Sequence, residues 1–144
     1  MPASQDDDAV PLCGSDDLSV VVSWEHDGRG ALAGKVIAEN VSGRACRLAN
    51  KPHVTPLRPD GTPLPVDSIV TLEMKMPPYV VLEPGQRAAS RVDWGPWCGE
   101  QASDRARVDW LGGSTVATVH GPTQPERSPA KSNYLISSWF RLMT

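Results

Sequence analysis

No stretch of the 144 residues reaches the ~18 consecutive apolar positions that a membrane-spanning helix needs, so no membrane insertion by this chain is expected. Basic residues do not cluster either. Lys and Arg number 14 against 17 acids, for a formal net charge of -3 and a pI near 5.5. A protein that grips nucleic acid needs a basic face to neutralise phosphates, so nucleic acid is not an expected partner. No apolar pattern of helical spacing runs for ten residues, and no internal repeat is present. No two cysteines stand as C-x-x-C, and His26, His53 and His120 do not pair at ligand spacing, so neither zinc nor any other cofactor is expected. A G-x-S-x-G elbow is missing too, and "GGS" at 112–114 reads as a hairpin turn. The opening "MPASQDDDAVPLCG" lacks the positive start and apolar run of a secretory signal. Either the protein works in the cytoplasm or a signal has been removed, and removal is the preferred expectation. Residues 1–12 read as a flexible acidic leader and residues 13–144 as a single domain.

Glycine and proline are plentiful, at 12 and 14, while apolar residues make up 40% of the chain. That mixture favours short strands joined by turns and is enough to bury a core. β-Branched or alternating runs fall at 18–24, 31–39, 54–58, 68–74, 79–82, 87–94, 105–111, 114–119 and 134–140. Turn signals separate them: Asp27-Gly28 and Gly30, "RPDGTPLP" at 58–65, "LEPGQ" at 82–86 and "LGGS" at 111–114. The expected fold is all-β, an immunoglobulin-like antiparallel sandwich of about eight or nine short strands.

"RVDWGPWCGE", residues 91–100, sets two tryptophans and a cysteine within five positions. In the preceding strand Ala88, Ser90, Val92 and Trp94 fall on one face and Arg87, Ala89, Arg91 and Asp93 on the other, which turns Trp94 inward. Trp110 has the same relation to Val108. Trp97 lies beyond a Gly-Pro turn, where alternation does not decide its exposure. In "YLISSWF" the alternation groups Leu135, Ser137 and Trp139 against Ile136, Ser138 and Phe140, as expected of a strand buried on both sides.

If the first hairpin turns between Arg29 and Gly30, facing residues have numbers that sum to 59, as those of Cys13 and Cys46 do. A bridge between them is the candidate disulfide, with Cys98 left over as the candidate free thiol.

The order "C…DL", "NVSGRACRL" with "P.V" after it, "PDGTPL", "VVLEPGQRAASRVDWGPWCG" and a closing "P…S.YLISSWF" resembles the actinobacterial secreted family known as domain of unknown function 4232. The likeness runs from about Cys13 to Phe140. It implies an immunoglobulin-like β-sandwich, secreted or on the cell surface, often lipid-anchored or attached to a larger membrane protein, with no established activity and no catalytic residues to transfer. Two departures stand out. Where the family has a small residue before the first proline of "L.G.P.V", this chain reads Leu48, Asn50, Pro52, Val54. The late cysteine that the family often carries is absent from "GPTQPERSPAKSNY", which implies that Cys98 has lost its partner.

Three functional readings follow. The first is a non-enzymatic, extracytoplasmic binding or accessory domain, monomeric, that meets a protein or cell-envelope partner through its end loops. "KPHVTPLRPDGTPLP" at 51–65, with His53, Arg58 and Asp60, is the candidate loop. The second is carbohydrate binding, with Trp97 and Trp139 stacking on sugar rings. It requires both rings to be exposed. The third is a hydrolase: a Cys98-His53 dyad lacks a neighbour that would activate the thiol. The acids Glu25, Glu39, Glu73, Asp93 and Asp109 are those an outward strand face carries without chemistry. No enzymatic activity is expected.

Overall fold

The computed structural model describes residues 10–71, 79–97, 99–126 and 134–143. Among the described residues there are nine strands: β1 (Leu18–His26), β2 (Leu32–Asn40), β3 (Cys46–Pro56), β4 (Asp67–Val70), β5 (Tyr79–Leu82), β6 (Arg87–Trp94), β7 (Arg105–Leu111), β8 (Gly113–His120) and β9 (Tyr134–Leu142). The all-β expectation holds, and each expected strand has a counterpart. The last four residues of the strand expected at 68–74 are outside β4, and positions 72–74 lie outside the described residues. Cys98, with its candidate role as a free thiol, lies outside them as well.

The architecture departs from the two-sheet immunoglobulin-like sandwich. All nine strands belong to one hydrogen-bonded sheet in the order β4-β9-β6-β2-β1-β8-β7-β3-β5, curled into a half-barrel. It is not wholly antiparallel, because β1 runs parallel to β8 and β4 parallel to β9. The curl brings β3 against β9 and β4. There, side chains replace the ladder. Val54 N donates to Ser68 Oγ at 3.0 Å, His53 Nδ1 lies 3.1 Å from the Ser68 carbonyl, and Lys51 Nζ donates to the Thr71 carbonyl.

The concave face is the core. Leu18, Val20, Val22 and Trp24 of β1, Leu32, Val36 and Ala38 of β2, and Ala88, Val92 and Trp94 of β6 all point into it, following the period of two that strands impose. Trp94 is wholly buried between Trp24 and Trp97, with ring centroids 6.2 and 5.9 Å away and planes tilted by about 50°. The buried amide of Asn40, at the end of β2, is fully partnered. Asn40 Nδ2 donates to the carbonyls of Arg44 and Leu82, and its Oδ1 accepts from Ser42 N and Oγ. A buried polar side chain costs little only when satisfied in this way.

Two registers differ from the sequence expectation. The β1–β2 hairpin pairs His26 with Leu32 and Leu18 with Asn40, so its turn is centred on Arg29. Asp27 Oδ1 accepts from the amides of Arg29 and Ala31 and closes a five-residue loop of that length. Facing numbers therefore sum to 58, and the hairpin ladder does not place Cys13 opposite Cys46. The two are nonetheless joined, with Cα atoms 4.8 Å apart. The reason is a separate parallel contact: Cys13 N donates to the Arg47 carbonyl and Arg47 N to the Pro11 carbonyl. Pro11 and Leu12, read from sequence as leader, thus form part of the domain edge.

The second difference is β3, which starts at Cys46 instead of 54. Asn50 takes φ 65°, a left-handed conformation that Asn tolerates better than most residues. The register against β7 shifts between Ala49 and His53, so the inward pattern is interrupted by a bulge.

Gly121 follows β8 with φ 91°, and a Cβ there would stand 2.1 Å from the Trp24 carbonyl oxygen. This close approach lets β8 lie parallel beside β1. Gly121→Ala is expected to cost at least ~2 kcal/mol, from left-handed strain and overpacking together, read as a lower denaturant midpoint. An unchanged midpoint would contradict the β1–β8 contact.

Candidate functional site

Four consecutive strands of the sheet, β9, β6, β2 and β1, present their convex face to solvent. Its side chains are the out-facing half of each alternation. β1 supplies Ser23 and Glu25, β2 Ala33, Lys35 and Ile37, and β6 Ala89, Arg91 and Asp93. Small residues in this set leave an open groove of about 850 Å³ over β2, β6 and β9, and a second of about 490 Å³ over β1 and β2. Lys35 and Arg91 line both, which makes the two depressions continuous.

β9 closes one side of the groove through an irregularity. Ser90 pairs with Phe140 but Val92 pairs with Ser137, so β9 carries one extra residue opposite Arg91. Such a bulge re-aims the side chains beyond it. Phe140 is turned into the core and Trp139 outward, reversing the expectation that grouped Trp139 with Leu135 and Ser137. The half-buried Trp139 ring lines the groove, and Lys51 Nζ lies 4.5 Å from its centroid in a cation–π contact.

The charges of the groove are unevenly placed. Lys35 stands directly opposite Arg91 across the β2–β6 ladder, and Arg141 stands opposite Ala89 on the next pair of strands. Directly opposed side chains have Cβ atoms about 5 Å apart, and like charges there repel. Arg91 reaches Asp93 at 3.6 Å. Among the described residues no ion pair involves Lys35 or Arg141.

The remaining sequence candidates lie elsewhere. Trp97 is buried, 2% exposed, with its Nε1 donating to the Glu100 carbonyl at 2.7 Å. It is a core residue, because Gly95-Pro96 turn the chain so that Trp97 packs back on Trp94 instead of continuing outward. A platform of two exposed tryptophans is therefore not present. His53 is exposed at the β3–β4 seam. Since the Ser68 carbonyl can only accept, its Nδ1 carries the proton and donates.

Arg58 and Asp60 belong to the hairpin that follows β3. The Arg58 guanidinium donates to Glu100 at 2.7 Å and to the Pro63 carbonyl at 2.6 Å. The hydrogen bond to Glu100, aided by its charge, raises the Arg58 pKa, and the same bond holds the Glu100 carboxyl below its ordinary value. Asp60 accepts from Thr62 Oγ1 and N, and these bonds lower its pKa. The three charges thus hold one loop in shape, and none of His53, Arg58 or Asp60 lines the groove.

Sequence reasoning passed over Lys35, Arg91 and Arg141 as sites. Alternation identifies Arg91 as outward, but only the cross-strand register shows that a second cation faces it. Of the acids considered for hydrolysis, Asp93 is taken up by Arg91, and Asp109 by Arg107 at 3.1 Å. Among the described residues no three His, Cys, Asp or Glu side chains are grouped so as to hold a metal ion.

No curated protein and no solved structure matches the chain. A family profile does, over residues 13–134, from the first cysteine of the bridge to the first residue of β9. With that match covering most of its length, the chain belongs to the family described as Domain of unknown function (DUF4232).

Proposed function

We propose that this protein is a non-enzymatic binding or accessory domain that works outside the cytoplasm, as the resemblance to exported actinobacterial proteins implies, and holds a cell-envelope component on its convex face. The observation that carries the binding surface is the opposed pair Lys35 and Arg91, with Arg141 beside them. A sheet face selected for stability alone alternates its signs across strands, because facing like charges cost free energy. Retaining this arrangement over a groove is consistent with an anionic ligand that neutralises it. The location rests on the fully buried Cys13–Cys46 bridge, of a kind that persists in oxidising compartments and is rare where thiols are kept reduced. The end-loop alternative is less favoured, since Arg58, Asp60 and Glu100 satisfy one another.

Sedimentation with purified cell-wall material tests the reading. The native domain is expected in the pellet, and the Lys35→Gln/Arg91→Gln variant, folded by circular dichroism, in the supernatant. Both side chains are exposed, so the substitutions leave the core untouched. Native protein that stays in the supernatant, or a variant that pellets equally, would refute the proposal.

A further inference from the structure

We infer that the ligand of the groove is an acidic polysaccharide whose carboxylates are carried on the sugar rings themselves, a polyuronate in chemical class. The inference rests on the proposed binding reading and names its ligand.

Two features of different chemistry meet in the groove. One is the set of cations Lys35, Arg91 and Arg141. A planar guanidinium receives a carboxylate through two parallel hydrogen bonds, and Arg141 and Lys35 have no ion-pair partner among the described residues to give up first. The other is Trp139, which the β9 bulge turns out of the core to line the same groove. An indole face offers a broad apolar surface to the C–H face of a pyranose.

A ligand that uses both must place a sugar ring and a negative charge within one repeat. Arg141 is two positions along β9 from Trp139, about 7 Å, and Arg91 lies across the ladder from the bulge, one strand spacing of ~5 Å away, so ring and charge sites are separated by about 5 to 7 Å. Uronic acids meet this condition, since ring and carboxylate belong to one residue. An acidic peptide supplies charge without the ring, and a poly(glycerol phosphate) likewise. Asp93 and Glu25 at the other end of the groove favour a ligand whose charges are spaced along a polymer over one of high charge density.

Glu25 and Asp93 also give the groove a direction. They lie on the row of Ala33, one step beyond the Lys35–Arg91 row in the direction away from Arg141. Carboxylates are thereby drawn toward Arg141 and hydroxyls toward the acids.

Isothermal titration with soluble polygalacturonate tests the assignment, with dextran, polyglutamate and poly(glycerol phosphate) as comparisons. Polygalacturonate is expected to bind, dextran not, and the two non-sugar polyanions about tenfold or more weaker. Lys35→Gln/Arg141→Gln and Trp139→Ala are each expected to weaken binding about tenfold, with Trp139→Phe recovering most of the loss because it keeps a ring. Because Trp139→Ala removes a half-buried ring, the phenylalanine variant and the two exposed-cation substitutions keep the test independent of folding. The inference falls if polygalacturonate does not bind, if polyglutamate or poly(glycerol phosphate) binds as well, or if the variants bind undiminished. Retained sedimentation with cell wall in any of those cases would overturn the ligand class alone. Loss of sedimentation as well would overturn the binding reading itself.

Discussion

Trp94→Ala is expected to destabilise the domain by about 3 to 5 kcal/mol, the range for emptying a large aromatic from a core. Trp94 is fully buried at the end of β6, paired with Leu32 on one side and Leu135 on the other, so its cavity would be walled by strands that cannot collapse independently. It also lies between two further indoles, at 6.2 and 5.9 Å, and each tilted aromatic contact is worth roughly 0.5–1.5 kcal/mol beyond its buried area. Trp94 Nε1 has no hydrogen-bond partner among the described residues, so Trp94→Phe forfeits no bond and is expected to cost less than half as much. Urea unfolding followed by far-ultraviolet circular dichroism gives both values, with an unchanged denaturant slope as the sign that the native fold is retained. A loss below ~1 kcal/mol for the alanine variant would show that Trp94 does not occupy the centre of the core.

Removing the Cys13–Cys46 bridge is the second large effect. The two positions are separated by 33 residues, and closing a loop of that size stabilises by roughly 3 to 4 kcal/mol in the chain-entropy model. The bridge ties the segment before β1 to the start of β3, next to the Trp110 Nε1 bond to the Cys13 carbonyl at 2.8 Å. Without it that segment is held by a few hydrogen bonds at a sheet end. The Cys13→Ala/Cys46→Ala protein is expected to unfold at a clearly lower denaturant concentration, and added reductant to lower the native protein's midpoint but not the variant's. Alkylation of the native protein followed by peptide mass spectrometry should find both positions protected. Labelling of Cys13 and Cys46 without reduction would remove the bridge and, with it, the support for an extracytoplasmic location.

The loop at 57–64 shows how a residue list misleads. Arg58 and Asp60 read as binding candidates because they are charged and lie in a proline-rich turn. Their charges are met inside the protein, that of Arg58 by Glu100 from a distant segment and that of Asp60 by Thr62 two positions along. Nothing in the local sequence distinguishes a charge that meets a ligand from one that meets a neighbour 42 residues away.

Residue patterning alone locates the strands and, in β6 and β7, the side chains that face the core. Ala88, Ser90, Val92, Trp94, Val108 and Trp110 follow from alternation alone, because side chains along a strand point to opposite faces in turn. The all-β class follows from the same strand patterns and the family from the order of its motifs, whereas the sequence pairs Cys13 with Cys46 on a hairpin register that the structure does not have, and the two are joined through the contact of residues 11–13 with Arg47. Tertiary structure decided the rest. Alternation reports that a strand has one buried face, but is silent on whether its edge is hydrogen-bonded, so one curled sheet and two facing sheets write the same pattern. One extra residue in β9 and two in β3 leave no mark in composition, yet they move Trp139 to the outer face and shift β3 against β7. The meeting of Lys35 with Arg91 depends on the pairing register of β2 with β6, strands more than 45 residues apart, and so exists only once the chain has folded.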